Sequence, residues 1–457
     1  MNANPNQMNE NAARARRQNQ IQTRLRQRHA SERRFRRAGF IAALSGLGVV
    51  ALLFVSILLK GVPAFWQATV VTEVYFDPEV VQVDARPQIA EGESPAAFRE
   101  RELAWLTQLG LVNWNRLIED ALANHLPEVE GSRERARLRG LVTSAERFRL
   151  RDMVAADPSL IGQRVRVELL ADANVDVWLK GNIDRSLPDR QQQLAPQVRA
   201  WADDLYARDV IRMNFSTGLF LNPDSRSSPA SAGLAGAFMG SLFMMAIVIL
   251  LAVPVGVASA IYLEEFAPRN RLVDLIEVNI NNLAAVPSII FGLLGAAVFI
   301  NWFHMPLSAP VVGGLVLSLM TLPTVIIATR SALKAIPPSI RQAALGIGAS
   351  KVQTVFHHVL PLALPGILTG AIIGVAQAIG ETAPLLLIGM SAFVAAIPST
   401  PLDQATALPV QIYLWQGNEL RNFFEARTSA AIIVLLALML SLNALAVLLR
   451  RKFERRW

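Results

Sequence analysis

Residues 38–59 read AGFIAALSGLGVVALLFVSILL, 22 positions without a charge. A helix rises about 1.5 Å per residue, so the run is long enough to cross a hydrocarbon layer of about 30 Å. It exceeds the roughly 7–15-residue apolar core of a cleaved signal peptide and reads as a retained membrane anchor. Five more apolar runs follow, at 233–263, 283–303, 311–328, 364–390 and 430–449. The chain is 52% hydrophobic and 18% charged, which fits a polytopic membrane protein and not a soluble domain.

Charge orients the spans. Residues 1–37 carry ten arginines (Arg14, Arg16, Arg17, Arg24, Arg26, Arg28, Arg33, Arg34, Arg36 and Arg37) against Glu10 and Glu32. A nucleic-acid arm has the same composition. Beside a membrane span, the tail reads instead as a cytoplasmic topology signal that also touches anionic lipid, with no nucleic-acid partner. Six crossings return the C-terminus to the same side, where Arg450, Arg451, Lys452, Arg455 and Arg456 stand. The segment from Arg330 to Leu360 holds Arg330, Lys334, Arg341 and Lys351 without an acid, so it too is expected inside.

Residues 62–230 form one long polar segment with 25 acids and 20 bases, expected outside. It contains Trp66, Trp105, Trp114, Trp178 and Trp201, enough for a core. Alternation predicts strands over 70–83 and 165–170. Helical spacing predicts helices over 98–126, 133–154 and 191–207. The arginines of 132–151 either attract an anionic solute or form a solvated helix face paired with Glu134 and Glu146. The expected organisation is a tail at 1–37, a first span at 38–60, an α+β domain at 61–230, a five-span core at 231–450 with a loop at 331–361, and a basic tail at 451–457.

That loop carries the most specific pattern: Gln342-Ala343-Ala344, then Gly348, then Leu360-Pro361. Pro337-Pro338 can open a short helix, Gly346 and Gly348 break it, and Ser350 can cap a second helix from Lys351. The expected product is a rigid helix–turn–helix elbow able to seat in a cleft on a partner. Its spacing resembles the EAA loop of ABC importer permeases, Glu-Ala-Ala-x-x-x-Gly-x9-Ile-x-Leu-Pro, with Gln342 in place of Glu and His358 in place of Ile. The resemblance covers residues 233–450. Ala260-Ile-Tyr-Leu-Glu-Glu-Phe-Ala267, Leu283-Ala-Ala-Val-Pro-Ser-Ile-Ile-Phe-Gly292, Leu322-Pro-Thr-Val-Ile-Ile-Ala-Thr-Arg330 and Ile379-Gly-Glu-Thr-Ala-Pro-Leu-Leu-Leu386 look like the phosphate-permease branch, the last run more like its A-type than its C-type subunit.

The resemblance implies an all-α polytopic membrane protein with a type I importer core of six transmembrane helices and an inserted α+β periplasmic domain. It implies a bacterial inner-membrane location and a heterodimer with a C-type phosphate permease. Two ATPase subunits that bind ATP and Mg, and a periplasmic phosphate-binding protein, would complete the importer. Phosphate is the implied solute; another oxyanion, phosphonate or molybdate, is the alternative within the class. A membrane-anchored periplasmic sensor is the alternative outside it, but the inside segments are too short for an output domain.

Glu381 stands in an otherwise uncharged span, where a charge costs roughly 2.5–3.5 kcal/mol on insertion scales. It either lines the translocation route, salt-bridged to a base of the partner permease, or cements two spans. Thr382 is grouped with it. Gln377 stands where the family commonly has a base, which leaves Arg330 as the candidate cation of this chain. There is no Gly-x-x-x-x-Gly-Lys-Ser/Thr, and Gly348-Ala-Ser-Lys351 is too short to replace it. Adjacent His357 and His358 diverge on a helix and make no metal site. No catalytic residue, metal or cofactor is expected in this chain, so the energy must come from another subunit.

Overall fold

The computed structural model describes the backbone of residues 5–453, with side chains for 29, 31–448 and 450–452. Arg14, Arg16, Arg17, Arg24, Arg26 and Arg28 of the expected tail signal, and Arg455 and Arg456 of the C-terminal one, lie outside the described side chains. The chain divides into residues 1–59 and 60–457. The first unit belongs to one helix, α1 (Pro5–Gly61).

In the second unit, residues 62–230 build an α+β layer. Three antiparallel strands, β1 (Trp66–Tyr75), β2 (Arg164–Leu170) and β3 (Ile211–Phe215), run in the order β2-β1-β3, with Val70 opposite both Leu169 and Ile211. Helices α2 (Pro95–Leu111), α3 (Trp114–Ala123), α4 (Ser132–Leu138), α5 (Glu146–Ala156), α6 (Ala173–Leu179), α7 (Pro196–Ala207) and the single turn α8 (Gly218–Leu221) complete it. The strand expected to reach residue 83 stops at Tyr75, because Asp77 turns the chain and accepts from the Glu79 N–H. The helix expected over 98–126 breaks at Val112, whose backbone is extended. That expected over 133–154 is interrupted because Val142 pairs with Ala171 as an isolated bridge and Thr143 N–H donates to Leu170 O at 2.9 Å. Sheet pairing there overrides helical spacing.

The rest of the unit is a helix bundle: α9 (Ala235–Ile261), α10 (Arg271–Ala284), α11 (Ser288–Gly295), α12 (Pro310–Lys334), α13 (Pro338–Gly346), the short α14 (Lys351–Gln353), α15 (Leu360–Gly380), the turn α16 (Ala383–Leu385), α17 (Leu408–Gln416) and α18 (Arg421–Phe453). Among the described residues, five stretches are long and apolar enough to cross a membrane: Ser31–Phe65, Ala235–Phe266, Pro310–Lys334, Lys351–Gly380 and Arg421–Lys452. A sixth crossing exists only if the pair Arg271–Ala284 and Ser288–Trp302, bent by 102°, counts as one. The run expected as one span over 283–303 therefore falls mainly on the second arm of a broken element. Pro287 lacks an N–H and restricts Val286, which ends the first arm. The apolar run over 364–390 breaks where Gly380 and Pro384 flank Glu381: the helix ends at Gly380, with Glu381 extended at φ −75°, ψ 127°.

The layer at 62–230 and the bundle share one hydrophobic core. Val70, Leu169 and Leu205 belong to the same buried cluster as Leu234, Leu408, Trp415, Phe424 and Ala431. Arg427 of α18, 3% exposed, donates to Ala230 O at 2.8 Å, to Gln67 Oε1 at 3.0 Å and to Ala232 O. Asp224 accepts from Gln411 Nε2 at 3.0 Å and Trp415 Nε1 at 3.1 Å. A separate buried cluster, with Ile261, Leu333, Val359 and Ile367, closes the other end of the bundle.

Candidate functional site

The elbow follows from three local rules. Pro337 and Pro338 start α13 where free N–H groups would otherwise be orphaned. Gly348 holds φ +94°, the left-handed region that a side chain resists, with Ile347 N–H donating to Ala343 O at 3.2 Å and Ala349 N–H to Ala344 O at 3.1 Å. Ser350 and Gln353 then form a reciprocal capping box that starts α14, and the chain continues through a π-turn into α15. Ala344 is buried, whereas Gln342, Ala343 and Gly348 face outward. Leu345, Ile347, Val352 and Phe356 are exposed, leaving an apolar surface on the elbow. Leu360 and Pro361 are half-buried in the first turn of α15.

An ion-pair belt ties this elbow to the bundle. Arg341 Nη2 donates to Glu265 Oε1 at 2.6 Å and to Leu333 O at 2.9 Å, and Arg341 Nη1 to Ile336 O at 2.8 Å. One arginine thus clamps α13 to the π-turn after α9 and to the last turn of α12. Arg330 Nη2 reaches Glu277 at 2.6 Å and its Nε reaches Glu264 at 3.2 Å; Lys334 lies 3.6 Å from Glu264. Arg330 therefore stands in the structure as a neutralised member of this belt. Sequence reasoning passed over Glu264, Glu265 and Glu277 as partners, although Leu-Glu-Glu-Phe directly after an apolar run was a visible sign of a charged helix end.

The broken helices meet on one another. A Cβ on Gly292 of α11 would lie 2.7 Å from Pro384 Cα and O, so α11 and α16 are in backbone contact just past the Glu381 break. Thr382 O accepts from the N–H groups of Leu385 and Leu386, both at 3.1 Å. Glu381 is half-buried, and none of the ion pairs among the described residues includes it. Gln377 is exposed, one turn earlier on α15. The structure brings Gln377, Glu381 and Thr382 to one end of α15, and it leaves Arg330 elsewhere. Gly370 and Gly366 of α15 pack on Ala328 and Ala332, so Arg330 sits between those levels, about 20 Å along the helix from Glu381.

The same contact shows how α12 and α15 approach. Gly366, Gly370 and Gly374 place their missing Cβ positions within 3 Å of Ala332, Ala328 and Thr321 side chains. Small residues four apart let two helices pack at backbone distance where lipid gives no hydrophobic drive. The four-residue spacing of these glycines is visible in the chain itself.

The arginine-rich stretch of the α+β layer is occupied by partners. Arg139 Nε lies 2.9 Å from Glu119, Arg135 lies 3.6 Å from Asp120, and Arg149 lies 3.0 Å from Glu146. Arg151 lies 2.7 Å from Asp152, so four of the seven arginines are paired, with acids drawn equally from α3 and α5, while Arg137 donates to Gln197 and Arg147 stacks on Phe148. Glu146 is buried, and burial pushes its carboxyl above the ordinary range.

Two family models match the chain. Residues 22–189 match a domain of unknown function, and residues 252–457 match the binding-protein-dependent transport system inner membrane component. The probable ABC transporter permease YqgI of Bacillus subtilis is 32% identical over 36% of this chain and 56% of its own length. The phosphate transport system permease PstA 1 of Mycobacterium tuberculosis is 32% identical over 50% of this chain and 73% of its own. PstA 2 of Mycobacterium bovis is 35% identical over 49% and 74%.

Proposed function

The chain belongs to the PstA-like family of ABC importer permeases, and on that premise we propose that it forms half of a translocation pathway for inorganic phosphate across a bacterial inner membrane. The observation that carries the reading is the clamped elbow. It is a short helix, exposed on its apolar side, wired by Arg341 into the ends of two membrane helices. Such a part transmits a partner's movement and has little use in a passive anchor.

In this reading a separate ATPase pair binds ATP and Mg and seats the elbow through Gln342, Ala343, Leu345 and Ile347. The elbow side is the cytoplasm. The α+β layer, whose core is continuous with the opposite end of the bundle, then faces the periplasm, where a phosphate-binding protein docks. A C-type permease supplies the other half of the route. Gln377, Glu381 and Thr382 line this half at the helix break, where freed backbone groups face the pathway. Glu381 finds its base on the C-type subunit. Arg330 serves the coupling belt instead of the anion.

Co-purification with the subunits it binds, followed by reconstitution in vesicles, tests the reading. ATP-driven, binding-protein-dependent uptake of radiolabelled phosphate is expected. Ala344→Asp places a charge at a buried elbow position and is expected to abolish solute-stimulated ATP hydrolysis. Uptake of molybdate or a phosphonate without phosphate would refute the solute. Unchanged stimulation in Ala344→Asp would refute the elbow's role.

A further inference from the structure

Four aromatic rings from three separate parts of the chain stack at the base of the α+β layer. Phe65 and Phe220 stack at 5.7 Å, Phe215 and Phe220 at 6.0 Å, and Trp66 meets Phe215 edge-on at 6.0 Å. They are not core. Trp66 is 44% exposed and Phe215 54%, and beside them Leu221 is 70% exposed and Val62 41%. A contiguous aromatic and aliphatic patch of this kind is unfavourable against water and marks a surface that something covers.

Chain connectivity says what covers it. The candidate span Ser31–Phe65 ends on the first of these rings, and Trp66 is the next residue. On the other side, α8, which carries Phe220 and Leu221, is hydrogen-bonded to the first residues of another span. Leu234 N–H donates to Leu219 O at 2.8 Å, and Ala235 N–H donates to Asn222 O at 3.1 Å; Ala235 opens the span Ala235–Phe266. Ser216 N–H donates to Phe65 O at 2.7 Å, which joins the end of β3 to the same level. In the chain, the patch therefore adjoins the ends of two candidate spans, and Trp and other aromatic rings favour the headgroup layer at such span ends. The edge strand β3 ends at this level, and its last residue, Phe215, is exposed.

We propose that this aromatic shelf is a lipid-binding surface, immersed in the headgroup–acyl boundary of the bilayer, and that it holds the 62–230 layer flat on the membrane. The inference requires the spans and is independent of the transported solute.

The chain has no cysteine, so single nitroxide labels can be placed without background. Leu221→Cys and Phe215→Cys probe the shelf, and Leu111→Cys, 83% exposed on the same layer, is the control. Each labelled full chain is placed in nanodiscs of phosphatidylcholine and phosphatidylglycerol. Relaxation by molecular oxygen, which concentrates in lipid, is compared with relaxation by a water-soluble nickel chelate. Oxygen is expected to dominate at 221 and 215, and nickel at 111. A shelf label that reads like residue 111 would overturn the proposal. So would a label shielded from both reagents, which would mean that protein covers the patch.

Discussion

Replacing Arg341 by Met should release the elbow. The side chain of Glu265 is 8% exposed and that of Arg341 is 24% exposed. Removing one partner of a buried pair costs about 3–5 kcal/mol, because the other charge stays buried and uncompensated. Water reaches Arg341 in part, so screening reduces this to about 2–3 kcal/mol. At about 1.4 kcal/mol per tenfold, the elbow should open roughly 30- to 140-fold more often. Hydrogen exchange reads this directly, since the Ile347, Gly348 and Ala349 amides are all bonded within the elbow, to Ala343 O, Leu345 O and Ala344 O. Their exchange should accelerate by that factor in the assembled complex, while amides of α12 away from its last turn stay protected. Pairing Arg341→Met with Glu265→Gln should recover much of the loss, because the stranded carboxylate is gone. Unchanged exchange at the three amides in Arg341→Met would show that packing, and not the ion pair, holds the elbow, and the coupling argument would fall with it.

Other consequences are equally direct. Gly348→Val should destabilise the elbow by about 1–2 kcal/mol through left-handed strain alone, since no atom lies near its Cβ position, and Gly348→Asn by less; exchange at the same amides distinguishes them. Glu381→Gln should lower uptake while the complex still assembles in detergent; dissociation of the mutant complex would instead assign Glu381 to packing. Replacing residues 71–223 with a flexible bridge should leave an inserted chain with reduced thermal stability, because Leu408, Trp415 and Phe424 lose their cover. That deletion should also raise the binding-protein concentration needed for half-maximal uptake, and failure to insert would show that the spans need the shared core to enter the membrane. Glu146 is pushed above its ordinary value of 4.5 by burial, so folding disfavours its charged form, and stability falls as pH rises past 4.5. Glu146→Gln should therefore raise the melting temperature at neutral pH, and the gain should vanish below about pH 4.

Some of this molecule is decided locally and is legible in the chain. Long uncharged runs leave a helix no better solvent than lipid, so where the apolar elements lie follows from composition, although the bend of 102° at Pro287 does not. The elbow is also local: Pro338, Gly348 and the Ser350–Gln353 box each act within a few residues, and the helix–turn–helix forms where their spacing puts it. Other features depend on partners far away in sequence. The helix expected over 133–154 fails because Val142 finds Ala171 across the layer. Arg330 reads as a free cation until Glu264 and Glu277 arrive from two other elements. Whether the 62–230 layer is an appendage or a fixture was likewise not a property of its own residues. Arg427, some two hundred positions away, decides it by spending its donors on Ala230 and Gln67 inside a shared core. Local propensity needs only neighbours in the chain; a charge's meaning depends on which opposite charge the fold brings within reach.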